Sequence, residues 1–252
     1  MHALDVDHRI LQLENGHFEC AVAEKNFENF SFVSDRYNTS ISVDLALPSD
    51  VVCFMLPRTS STDFTINGNR NAHNMVTLLT NGNDINIQTR GFSGADSILI
   101  NKTYFENISQ TICPTSFEGA SKYSSQKRYV NQTSIQQLNH WADVFSATVK
   151  NEPSQLSVFN SEENVENLLS LFVDWSLNQN VESVTDYPKV KQRRIQIAKK
   201  AQEYILNFYF QKITLQHLCD AVGVGIRTLQ RCFKEFFGFT INKYIKFVRL
   251  NQ

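Results

Sequence analysis

The sequence has no apolar run approaching the roughly 20 residues that a membrane-crossing helix needs, so no membrane span is expected. Its opening, MHALDVDHRILQLENG, has acids where a secretory signal would place a basic segment and an apolar core, and a cytoplasmic protein is expected. Cysteine is scarce: Cys20, Cys53, Cys113, Cys219 and Cys232 are odd in number and scattered, without a CxxC. That excludes a disulfide framework and a zinc site of the usual spacing. Cys219 and Cys232 fall on apolar helix faces and read as small hydrophobes, which leaves Cys20, Cys53 and Cys113 for any redox role. The six histidines form no HxH, HExxH or HxxxH, so a metal-bearing barrel enzyme lacks its ligands. GxSxG, GxxxxGK[ST] and GxGxxG are also missing. The short GFSGADS at 91–97 has no strand-to-helix context for a phosphate loop and reads as a turn. Glu162 and Glu163 stand in a helix first turn, where carboxylates suit the macrodipole. No catalytic residue, metal or cofactor is expected, and the chain is not expected to be an enzyme.

What is present is a split of charge. Over 252 residues, 42% hydrophobic and 19% charged, the formal net charge is only −1. Residues 189–252, however, hold 13 Lys and Arg against three acids, a net of +10, and residues 1–188 hold 11 against 22, a net of −11. Such asymmetry points to a polyanion-binding module joined to an acidic one. A highly soluble helical tail is the alternative.

The acidic half, 1–180, is expected to be β-rich to about residue 125 and helical over 131–180. SISVDLAL, VVCFML, DFTING, MVTLL, INIQTRG and DSILIN are short β-branched or alternating runs, separated by turn clusters such as NGNRN and TNGND. Many short, evenly spaced strands suggest a small barrel or jelly roll. TSIQQLNHWADVFSATVK and SEENVENLLSLFVDWSLNQ then give two amphipathic helices, which either pack on the barrel or form a dimer interface. The polar, aperiodic NQNVESVTDYP ends in proline and reads as a linker, taken as 181–190. The fold class is therefore α+β, with a β domain and two helices followed by an all-α domain at 191–252.

In the basic half, a first helix over about 191–209 buries Ile195, Ala198, Ala201, Ile205 and Phe208 or Tyr209. A second follows Thr214 as N-cap, with Leu215, Leu218 and Cys219 inward. AVGVG supplies a tight turn in which Gly223 takes a positive φ at no Cβ cost. A third helix, IRTLQRCFKEFF, ends at Gly238 as the residue past its C-cap, and Thr240 opens a fourth. Two short helices joined by a glycine turn are the helix-turn-helix pattern. The second helix of such a unit lies in the major groove with its N-terminal side chains at base edges. Leu229, Phe233 and Phe236 would hold that helix down, while Arg227, Thr228, Gln230, Arg231 and Lys234 project away. Arginine pairs with guanine O6 and N7, glutamine with adenine N6 and N7, and lysine suits phosphate.

ITLQHLCDAVGVGIRTLQRCFKEFFGFTINKYIKFVRLN resembles the first helix-turn-helix of the AraC/XylS family of transcription regulators. Among the residues that carry the likeness are Gly223, Arg227, Leu229, Arg231, Phe233, Gly238, Tyr244 and Arg249. Within that family it looks closest to regulators similar to the ethanolamine-utilisation activator. The resemblance implies base contacts at Arg227, Gln230 and Arg231. Thr228, Lys234, Lys243 and Lys246 would bind DNA or its phosphates, and the helix from Thr240 would be a linker helix. It also implies a cupin-like N-terminal domain that binds a small-molecule effector, helices that form a homodimer, and a cytoplasmic activator acting on double-stranded DNA and RNA polymerase. Arg58, Arg70 and Arg90 lie in β-rich segments where they could meet an anionic effector or simply face solvent.

The sequence departs from the family pattern twice. Gly225 replaces the usual serine N-cap, at a cost of a few tenths of a kcal/mol. The chain ends within the linker helix, so the second helix-turn-helix of the family is missing from it. Two readings follow: an effector-controlled regulator that binds DNA, or an effector-binding and dimerisation protein without autonomous DNA binding. A cupin-type enzyme is a third, opposed by the missing histidine pattern.

Overall fold

The computed structural model describes residues 6–58, 64–70, 75–80, 85–112, 126–129, 181–183 and 189–251, together with 136, 140 and 143. The first part of the chain is an antiparallel β domain of two sheets. One sheet comprises β1 (Asp7–Gln12), β4 (Ile41–Ala46), β9 (Ile85–Gln88), β6 (Thr65–Ile66) and β7 (Asn69–Arg70), in that spatial order. The other runs β12 (Val181–Ser183), β11 (Gln126–Tyr129), β8 (Met75–Thr80), β5 (Val51–Pro57), β10 (Ser93–Asn101), β3 (Phe30–Tyr37) and β2 (Cys20–Asn26). The inner faces meet in a core that includes Cys53, Met55, Phe64, Ile66, Leu79, Ile85, Ile87 and Leu99. Strand β5 is buried along its whole length because both its faces are covered. Its outer face includes Phe54, whose ring lies 5.7 Å from that of Phe105 on helix α1 (Lys102–Ile112).

The second part is all-helical: α2 (Lys189–Phe208), α3 (Leu215–Val222), α4 (Ile226–Phe237) and α5 (Ile241–Leu250). Its core is aromatic, built on Phe233, Phe236, Phe237 and Tyr244, with Ala198, Ala201 and Ile205 of α2 and Leu218 of α3. Alanines on α2 let the helices approach closely, and α4 makes its broadest helix contact with α2.

Several expectations are corrected. The stretch expected to be β-rich to about residue 125 also holds a helix, Lys102–Ile112, started by Asn101, whose side chain accepts the Tyr104 N–H at 3.2 Å. DFTING does not form one strand. It enters a two-residue β6–β7 hairpin with Asn67 and Gly68 at its tip. GFSGADS turns only at its start, because β10 begins at Ser93. The 181–190 stretch holds β12, paired with β11, and the first residues of α2. The two amphipathic helices expected over 131–180 lie outside the described residues, save 136, 140 and 143, which are helical.

The two parts pack against each other through the five-stranded sheet. Its strands alternate, as the period of two requires. Ile41, Val43 and Leu45 of β4 turn inward, while Asp44 turns toward the helices. There Gln202 Nε2 of α2 donates to Asp44 Oδ2 at 2.7 Å and to Tyr244 Oη of α5 at 2.8 Å. Asn86 of β9 donates to the other Asp44 oxygen at 2.8 Å. Burial raises the Asp44 carboxyl, and the amides of Asn86 and Gln202, with the charge of Lys199, pull it back. At one edge, Leu11 of β1 joins the helical core. Nearby, Asn251 and the backbone of Gln12 exchange two hydrogen bonds of 3.0 and 3.1 Å.

At the other edge, the β6–β7 hairpin meets the last turn of α4. Asn67 (φ 49°) and Gly68 (φ 73°) both have left-handed backbones, as tight two-residue hairpins require. A Cβ on Gly68 would lie 2.9 Å from the carbonyl oxygen of Glu235, whereas one on Gly91 (φ 67°) would meet nothing within 4 Å. Gly68→Ala is therefore expected to cost about 2 kcal/mol, from backbone strain plus collision, and Gly91→Ala about 1 kcal/mol from strain alone. Urea denaturation of the two variants checks this; equal losses would mean that the hairpin does not bear on α4.

Candidate nucleic-acid interface

Helix α3 is capped by Thr214, whose hydroxyl accepts the His217 N–H at 3.2 Å. It ends at Gly223 with φ 73°, whose N–H returns to the Cys219 carbonyl at 2.8 Å. This left-handed residue reverses the chain within three positions and starts α4 at Ile226. Gly225 is the N-cap of α4 and makes no side-chain cap bond, as expected of glycine. Gly238 (φ 75°) closes α4, and Thr240 caps α5 by accepting the Lys243 N–H. Arg249 of α5 ties the far end of the unit, donating to the carbonyls of Tyr209 at 2.9 Å and Gln211 at 2.7 Å.

Helix α4 is sharply two-sided. Leu229, Cys232, Phe233, Phe236 and Phe237 are buried, and rings of Phe233 and Phe237 stand 4.5 Å apart. Arg227, Gln230, Arg231 and Lys234 are all exposed. Their spacing of three, four and seven residues sets them on one stripe of the helix. Arg227, Gln230 and Lys234 have no hydrogen-bond or ion-pair partner among the described residues. Arg231 Nε lies 4.0 Å from Glu235 Oε1, a carboxylate that Arg194 holds more closely, at 3.2 Å. Thr228 stands off the stripe and is half-buried. Lys243 and Lys246 are exposed on α5, one turn apart, and Lys243 Nζ sits 5.3 Å over the ring of Phe247. The structure thus gathers four of the seven expected DNA-contacting residues on one helix stripe and puts two on the neighbouring helix. Ile226, at the start of α4, is 44% exposed.

A second feature lies between the sheets of the β domain, a cavity of about 310 Å3. Val33, Val43, Leu45, Met55, Ile87 and Leu99 give it apolar walls. Asp35 of β3 also lines it; Oδ1 accepts the Ala95 N–H at 2.7 Å. Burial pushes this carboxyl up to about 6, against the opposing pull of that N–H and of the Arg36 charge. Of the arginines that could meet an anionic effector or face solvent, Arg58 pairs with the buried Asp96 at 2.5 Å and with Asp143 at 3.1 Å. Arg90 is exposed, and neither Arg58 nor Arg90 lines the cavity. Burial raises the thiols of Cys53, to about 12, and of Cys219 and Cys232, which keeps them protonated at neutral pH. Among the described residues no group of three His, Cys, Asp or Glu could hold a metal ion, and no helix is long and apolar enough to cross a membrane.

No family model matches the chain, and no curated protein matches it. Among solved structures it is similar to CuxR over 98% of this chain and 86% of that one, with 16% identity and a TM-score of 0.46. CuxR is an AraC-like transcriptional activator. The chain is also similar to ToxT from Vibrio cholerae, over 98% of this chain and 81% of that one, with 9% identity and a TM-score of 0.32. A ToxT structure with an unsaturated fatty acid bound matches at 12% identity and a TM-score of 0.29, covering 100% of this chain and 81% of that one. These likenesses are distant and assign no role to any residue here.

Proposed function

We propose that the protein is a sequence-specific, DNA-binding transcription regulator whose β domain takes a small-molecule effector. The observation that carries this is the stripe Arg227–Gln230–Arg231–Lys234. It is exposed on the second helix of a glycine-turned pair, and three of its members lack any partner among the described residues. A merely solvated face mixes acids and bases along its length, whereas this one offers donors suited to guanine, adenine and phosphate. Arg227, Gln230 and Arg231 read bases; Lys234, Lys243 and Lys246 bind the backbone, with Thr228 at its margin. The protein works as a homodimer and an activator in the cytoplasm, touching RNA polymerase. Two copies bring two reading helices to half-sites one helical turn apart.

Control runs through the five-stranded sheet. One face of β4 lines the cavity and the other carries Asp44, which is hydrogen-bonded to α2. A ligand that shifts β4 therefore acts on the helices through Asp44 and Gln202. In a mobility-shift titration the full chain is expected to retain duplex DNA with an affinity that falls as salt rises, with a logarithmic slope near −0.9 per phosphate neutralised. Absence of any salt-dependent binding would sink the reading.

A further inference from the structure

We propose that the cavity between the two sheets binds a small apolar amine, its ammonium group held at Asp35. The volume, about 310 Å3, is at the lower end of small-molecule sites, and its walls are those of an apolar pocket with a few polar groups to fix orientation. The polar groups are one-sided in charge. The described lining residues include the carboxylates Asp35 and Glu24, the titratable His8, and no Lys or Arg. In the β2–β3 register Asp35 lies opposite Val22, and Glu24 lies opposite Val33 two residues along. The two carboxylates therefore sit on one face, on the diagonal of adjacent strands. Val22 and Glu24 are exposed while lining the cavity, which marks its opening.

The nearby arginines form their ion pairs with another acid, and Arg36 acts on the Asp35 carboxylate only through its charge, as does His8. Arg36 Nη2 and Arg58 Nε both bind Asp96, at 2.9 and 2.5 Å. The Asp35 carboxylate receives one hydrogen bond, from the Ala95 N–H, and its Oδ2 has no hydrogen-bond partner among the described residues. Asp35 is half-buried in the cavity wall, where a carboxylate without an ion-paired cation is poorly compensated, and an ammonium supplies both a charge and donors. A ligand carboxylate would instead add a third anion beside Asp35 and Glu24, with no cation on the described wall to meet it. An alcohol of the same size would fill the walls and donate one bond without neutralising the charge.

This deepens the regulatory reading by naming the class of effector and rests on it only for the consequence of binding; binding itself is measured without DNA. Isothermal titration of the full chain at neutral pH compares n-octylamine, octanol and octanoate, each below its micelle concentration. The amine is expected to bind saturably, at least tenfold more tightly than the alcohol, with octanoate not binding. Asp35→Asn is expected to weaken the amine at least tenfold and to leave octanol unchanged. Octanoate binding as well as the amine, octanol matching it, no saturable amine binding, or an unchanged amine affinity in Asp35→Asn would each overturn the proposal. Failure of DNA binding with the amine still bound would leave the site standing and remove only the regulatory reading.

Discussion

Phe233→Ala is expected to destabilise the helical part by about 3–5 kcal/mol, the range for removing a fully enclosed aromatic ring. Phe233 is 0% exposed and is the centre of the second core. Its ring lies tilted against that of Phe237, 4.5 Å between centroids, and meets Tyr244 edge-on at 5.3 Å. The loss combines the transfer energy of the ring with an unfilled cavity, because α2, α4 and α5 all border the space and cannot collapse together. The same change should weaken DNA binding although Phe233 faces away from the stripe, since α4 is held by this core. Urea denaturation followed by fluorescence and far-UV circular dichroism checks it. A loss below about 1 kcal/mol would mean that the aromatic cluster is not the support of α4.

Asp35→Asn is expected to do the opposite and stabilise the protein at neutral pH. The Asp35 carboxyl titrates at about 6 rather than 3.8, mainly because it is buried. A raised carboxyl means that the folded state prefers the protonated form. The favourable contribution is complete below about 3.8 and is lost as pH rises through about 6. At 1.36 kcal/mol per unit, the ionised group costs on the order of 3 kcal/mol at pH 7. Asparagine keeps the shape and cannot ionise. The stability difference between variant and wild type should therefore grow from pH 4 to pH 6 and stay level above. A difference independent of pH would show that Asp35 is well solvated or paired.

The helical part was legible because its signals are local. Thr214, Gly223, Gly238 and Thr240 mark their boundaries by cap chemistry that needs no distant partner, and the structure puts each in that role. The α4 stripe follows from helical spacing alone. Strands β1, β2 and β3 gave no such signal. β2 is an edge strand with five exposed residues in seven, so it shows little apolar alternation. β3 buries Ser31 and Ser34 beside its phenylalanines, their hydroxyls satisfied by Asn26 at 2.6 Å and Asp96 at 2.7 Å. Those partners lie five and 62 residues away, and no window of sequence reveals the second. The cavity and the contact between the two parts were out of reach for the same reason. Asp35 gains its meaning from Ala95 across the sheet, and Asp44 from Gln202, 158 residues away.

The central claim is that α4 reads bases, and Arg231 is the residue on which it is most directly tested. Equilibrium binding of the wild type and Arg231→Ala should be measured on one selected duplex and on its single-base variants, at fixed salt. If Arg231 reads a base, the substitution costs about 1–3 kcal/mol on the selected duplex and abolishes discrimination at one position only. A small loss, uniform across all the duplexes, would contradict base reading by Arg231 and leave it a phosphate contact or a solvated side chain.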